Sequence, residues 1–244
     1  MKKSSKQFLI ISFIISYICF GLIVYSRITF DHIFNNPLYL SLFVLGCLGP
    51  LISSFIVHIL NKEELGGIRG FTDKLKTVKA PKAIILIPLF LIAHYGFAIL
   101  LKTVYRYGSI IDFFRYLPIA IILGSQEIGW RGIVQPGNEE KNGFWKSSII
   151  TGLFWSLWFF PLIYIPQFII LPQFYAQFAA YLVGISILLT TLYKSSGNIM
   201  YCVILSSFIF ALFPVIILKQ SFMLVLIALL DSIVANTFKN KIFN

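Results

Sequence analysis

The chain is a succession of apolar runs, each close to the twenty residues that an α-helix needs to cross a hydrocarbon core about 30 Å thick. They fall at roughly 8–26, 38–60, 83–101, 114–131, 148–165, 170–192, 198–218 and 222–238. In lipid a backbone finds no water to bond to, so runs of this length must be helices that satisfy their own amides. The pattern predicts an all-α, polytopic transmembrane helix bundle of about eight spans. The polar gaps are too short to fold separately, which leaves a single integral membrane domain over residues 1–244. With 58% hydrophobic and 12% charged residues, the composition lies outside the soluble range.

Net charge is +11, which in a soluble chain would point to nucleic acid. Here the basic residues are explained by the positive-inside rule, so the lipid bilayer is the expected partner and nucleic acid is not. With the N-terminus cytoplasmic, fifteen of the twenty Lys and Arg residues fall on the inner side and five (Arg27, Lys102, Arg106, Arg115 and Lys219) on the outer side. Both termini are therefore expected inside. MKKSSK followed by about twenty apolar residues is longer than a signal-peptide core and lacks an A-x-A site, so it reads as an uncleaved first span. Cys19, Cys47 and Cys202 lie singly in apolar stretches, with no spacing for a disulfide framework or a zinc site; no metal or cofactor is expected. The loop 61–82 reads as an interfacial linker, with a docking surface for anionic headgroups or an acidic partner as its sharper reading.

Residues 125–132, SQEIGWRG, place charges where lipid disfavours them, and so form a candidate site. On a helix Glu127 and Arg131 are four residues apart on one face and can neutralise each other. The bland expectation is a buried ion pair whose arginine partly snorkels to the cytoplasm, with Trp130 as an interfacial aromatic and Gly124, Gly129 and Gly132 allowing close helix packing. Asp231, the other intramembrane carboxylate, is expected to face the bundle and bond between helices. His58 and His94 read as packing or hydrogen-bonding residues, and His32 as a loop residue.

Three stretches together resemble the CAAX-protease and bacteriocin-processing family, also called CPBP or Abi. QEIGWRG (Gln126–Gly132) is similar to its first motif, E-E-x-x-x-R. WSLWFFP (Trp155–Pro161) is similar to its second, an aromatic followed four residues on by histidine. GNIMYCVILS (Gly197–Ser206) leads into the position of its third, a histidine followed four residues later by asparagine. Gly49 and Pro50 also fit, and the resemblance covers about residues 40–220. It implies an intramembrane endopeptidase in which the first glutamate and the second-motif histidine activate water. The third-motif pair would hold the site or stabilise the oxyanion.

This chain carries Gln126, Phe159, Ser206 and Phe210 at those four positions; Glu127 and Arg131 remain, with Trp130 and Trp155 beside them. An amide cannot take a proton near neutral pH, and a phenyl ring offers neither a basic nitrogen nor a hydrogen bond. The expectation is a family member with a degenerate catalytic set. It would act as a scaffold, regulator or immunity-type binder of a membrane protein or hydrophobic peptide, in a bacterial cytoplasmic membrane. The rival is an active endopeptidase for prenylated or precursor peptides with Glu127 as its catalytic base. A transporter has too few polar helix positions to line a path. Most aromatics of the fifth run, Phe154 to Phe160, are expected to be packing or lipid contacts.

Overall fold

A computed structural model describes residues 1–168 and 170–242, with side chains through 238. Lys239 and Lys241 of the basic count therefore lie outside the described side chains. The principal helices are α1 (Lys3–Ser26), α2 (Pro37–Leu60), α3 (Gly67–Lys76), α4 (Leu86–Leu100), α5 (Ile110–Gly124), α6 (Gln135–Phe159), α7 (Tyr175–Ser196), α8 (Ile199–Leu212) and α9 (Met223–Ile242). Five helical stretches are long and apolar enough to cross a membrane: Lys3–Ser26, Pro37–Leu60, Pro81–Leu100, Ile110–Tyr164 and Pro172–Ser196. Ile199–Leu212 and Met223–Phe238 are shorter apolar helices.

Local chemistry sets the helix ends. The Asn36 side chain accepts from the amides of Leu38 and Tyr39 ahead of Pro37, while Ser109 and Asp112 form a capping box that starts α5. Gly197, at φ 63°, closes α7 in the left-handed conformation, and Asn198 caps α8 immediately after it. The two helices thus reverse direction within two residues.

The structure departs from expectation in three places. The polar stretch 135–147, expected as a loop, is helical, so Ile110–Tyr164 runs nearly continuously until Gly143 breaks it at φ 69°. The expected 61–82 linker contains α3, whose Phe71 packs edge-on against Phe55 and His58 of α2. The chain is also not purely helical, because β1 (Val104–Tyr107) pairs antiparallel with β2 (Ile216–Leu218). The run 198–218, expected as one span, is helical only over Ile199–Leu212 and ends in β2, whose amides pair across more than a hundred residues with β1.

α1 packs along α2, α5 along α8, and α7 against both α6 and α9. Pro50 inside α2 cannot donate to the carbonyl of Gly46, and that oxygen instead accepts from Ser16 Oγ of α1 at 2.7 Å. Ser16 in turn accepts from Trp158 Nε1 at 2.7 Å. A proline in the second helix thereby fixes the orientation of an indole in the sixth.

Candidate functional site

The first motif sits where α5 ends. After Ser125 and Gln126 a helical turn, Glu127–Gly129, leads into a single π-turn, Trp130–Val134, and then α6. Such π-turns rotate side chains relative to an α-helix and concentrate at functional sites. A Cβ on Gly129 would strike Phe8 of α1 and lie 3.0 Å from the Pro50 carbonyl of α2. Gly129 and Pro50 therefore mark one close backbone crossing, which places the motif against α1 and α2.

Gln126, Glu127, Trp130 and Arg131 are all fully buried. Gln126 Oε1 accepts from two indoles, Trp130 Nε1 at 3.1 Å and Trp155 Nε1 at 2.7 Å. Those bonds fix the amide orientation and leave Nε2 without a partner among the described residues. Glu127 Oε2 accepts from Arg131 Nε at 2.8 Å, and Oε1 accepts a long bond from Ser206 Oγ at 3.5 Å. Arg131 Nη1 donates to Ser186 Oγ at 2.9 Å and Thr190 Oγ1 at 3.1 Å, both on α7.

Two expectations are corrected here. Arg131 does not snorkel: it is fully buried, with Nη1 held by Ser186 and Thr190 and Nη2 without a partner among the described residues. Trp130 is not an interfacial aromatic, because its indole turns inward to Gln126 and its ring meets Phe8. Ser186 and Thr190 were missed in sequence. Their signal was a Ser and a Thr four residues apart in an apolar helix, the spacing that puts both hydroxyls on one face.

At the second and third motifs Phe159 lies 6.0 Å from Phe210, centroid to centroid, and 5.6 Å from Phe178. Trp155 lies 6.2 Å from Phe210 and 6.1 Å from Phe159. The eight motif positions are thus joined: Gln126 to Trp130 and Trp155 by hydrogen bonds, Trp155 to Phe159 and Phe210 by ring contact, and Ser206, one turn before Phe210, to Glu127, which in turn pairs with Arg131. The fold assembles the three motifs into one site. At the two positions where the family pattern holds histidines this site holds the Phe159 ring and the Ser206 hydroxyl, and Phe210 stands at the asparagine position.

A cavity of about 410 Å³ rests on this cluster, with Phe159, Phe178 and Phe210 among its lining. Neither Gln126 nor Glu127 lines it. The cavity therefore meets the Phe159 and Phe210 rings, together with Asp31, Arg106, Asp112 and Gln167, and not the motif carboxylate.

The comparisons with known proteins agree with this assembly. Residues 106–212, which span all three motif helices, match the family model described as Type II CAAX prenyl endopeptidase Rce1-like. The protein named CAAX prenyl protease 2 of Methanococcus maripaludis is 26% identical over 182 residues, covering 67% of this chain and 64% of that one. Over its three motif stretches the chain is thus similar to the CAAX-protease (CPBP) family.

The remaining polar residues are accounted for separately. His94 Nδ1 bonds Asp231 Oδ2 at 2.7 Å and its Nε2 pairs with Tyr181 Oη at 2.7 Å, tying α4, α7 and α9 together, as expected for Asp231. His58 Nδ1 bonds the Ser54 carbonyl at 2.7 Å, within its own helix. His32 Nδ1 pairs with the Thr29 hydroxyl. Cys19, Cys47 and Cys202 are buried and free. Among the described residues no three His, Cys, Asp or Glu side chains group to hold a metal ion.

From the side of α3, Lys74 Nζ donates to the Gly132 carbonyl of the π-turn at 2.8 Å. Burial pushes its ammonium down to about 8 from 10.5, with the Glu64 carboxylate pulling the other way. Between these values the unfolded chain holds a proton that the folded chain has released, so this group makes stability rise with pH from about 8 to 10.5. The neutral amine still donates to Gly132. Thermal unfolding across that window should show the rise, and Lys74→Met should flatten it. The slope should be well under the ~1.4 kcal/mol per pH unit of a fully shifted group, because the side chain is partly solvated.

Proposed function

We propose that this chain is a non-catalytic member of its family, a scaffold, regulator or immunity-type protein that holds a membrane partner or hydrophobic peptide in the former substrate cleft. The observation that carries this reading is the aromatic floor: Phe159 and Phe210 face the cavity, while Glu127 is engaged by Arg131 and Ser206 behind it. A general base must reach the proton it removes, and this carboxylate does not border the space a substrate would fill. The peptidase alternative, with Glu127 as base, would need those rings to part.

The proposed setting is a bacterial cytoplasmic membrane, with eight spans and both termini inside. The 55 residues of Ile110–Tyr164 are long enough for two passages, divided at Gly143. Cysteine introduced at positions in 61–82 should then react with an impermeant maleimide only from the cytoplasmic side. Labelling from outside would overturn the orientation.

The binding role is tested by purifying tagged protein from its own membranes in mild detergent and identifying what co-purifies. A specific partner should be retained by the native chain and lost on Leu123→Trp, which fills the cavity wall, with the melting temperature maintained. The same set of proteins on both chains would refute the cleft as the binding surface.

A further inference from the structure

Four connections meet around the mouth of this cavity: Asp31 before α2, Arg106 in β1, Gln167 after α6, and Ile217 in β2. They share one end of the bundle, opposite the end where α3 and Lys194 gather basic charge. A second space, a groove of about 620 Å³, lies between α2 and α5, with Leu40 and Val44 on one side and Pro118 and Ile122 on the other. Asp31, Phe34, Tyr116 and Ile119 border both spaces. Leu40, Val44 and Ile122 are half-buried and Pro118 is exposed, so the groove faces the surroundings of the bundle along two membrane-crossing helices.

We propose that groove and cavity together hold one acyl chain of a zwitterionic phospholipid drawn sideways from the leaflet at that end, the outer leaflet in the orientation given above. The inference rests on the reading that this cleft binds rather than cuts, and it names an occupant. Lipid tails are as apolar as the lining, so transfer from the bilayer gains nothing from the hydrophobic effect. The gain comes from dispersion, because an unfilled ring-lined space forfeits contacts on one side of every lining atom. The headgroup supplies selectivity. Asp31, exposed and in no ion pair among the described residues, stands at the groove with Arg115, whose guanidinium lies 5.9 Å over the Tyr116 ring. A carboxylate and a guanidinium lining one groove without pairing to each other offer complements to an ammonium and a phosphate.

The test uses the full chain in nanodiscs containing phosphatidylethanolamine or phosphatidylglycerol that carries the same photoreactive acyl chain. Cross-linked peptides should include Phe34, Tyr116 and Phe168 of the cavity wall. Ile119→Trp, at the partition between groove and cavity, should reduce their labelling about fivefold or more, as loss of a well-packed site would. Phosphatidylethanolamine should label more than phosphatidylglycerol, and Asp31→Asn, an exposed change that disturbs no packing, should remove that preference. Labelling no stronger there than on Ile10 and Ile14 of α1, which are exposed on the bundle, would overturn the proposal, as would a pattern indifferent to both variants. Native mass spectrometry of the same samples gives the remaining outcome. A peptide bound in place of lipid would refute this occupant while leaving the non-catalytic reading intact.

Discussion

Purified protein should release no product from a prenylated peptide or a precursor leader above an enzyme-free control. Each positioned acid or base contributes about 10²- to 10⁴-fold in rate. Here an amide stands at Gln126, phenyl rings stand at Phe159 and Phe210, and a hydroxyl stands at Ser206. Loss of several such groups predicts a rate at least about 10⁴-fold below a relative with an intact set. The measurement is product release followed by mass spectrometry over hours, with a competent peptidase in the same detergent. Enzyme-like turnover that vanishes in Glu127→Ala at unchanged melting temperature would refute it. Gln126→Glu alone should restore nothing, because Trp130 and Trp155 already hold that side-chain oxygen and no imidazole faces it.

Glu127→Ala and Arg131→Leu should each destabilise the fold, by about 3–5 kcal/mol, because each leaves one buried charge without its counterion. Glu127→Gln should fall with Glu127→Ala in direction, since its neutral amide also leaves the guanidinium uncompensated. The double replacement Glu127→Leu with Arg131→Leu should recover most of the loss, as two apolar side chains in place of a buried pair often do. Thermal unfolding in detergent, followed by tryptophan fluorescence, measures all four. A double variant as unstable as the sum of the singles would show that Ser186, Thr190 and Ser206, rather than the pair, carry the energy. If both single variants melted like the native chain, the structural role assigned to the pair would be refuted.

The candidate site was legible in sequence because its signals are local. Glu127 and Arg131 share a face at four-residue spacing, and QEIGWRG, WSLWFFP and the run ending at Ser206 resemble the family's motifs in order. The partners were not legible. Nothing near Arg131 in the chain announces that Ser186 and Thr190, more than fifty residues on, receive its Nη1. Trp130 looked like an interfacial aromatic because its neighbours are those of a helix end, yet the acceptor that buries it, Gln126, is set by the π-turn and by Trp155 from another helix. α3 was hidden in a polar stretch whose helix forms against Phe55 and His58.

By itself the sequence determined the class of solvent and the chemistry on offer. Apolar runs of membrane length dictate helices, since only helices satisfy a backbone in lipid, and the residue types at four motif positions dictate that no imidazole is present there. Tertiary structure alone decided where those residues meet. Phe159 and Phe210 become the floor of a cavity, Glu127 lies behind them, and β1 finds β2 only because the helices between have packed. The reason is physical: a spanning helix is specified by transfer of its own residues from water to lipid, whereas helix–helix register is chosen by close packing and by polar bonds between distant segments.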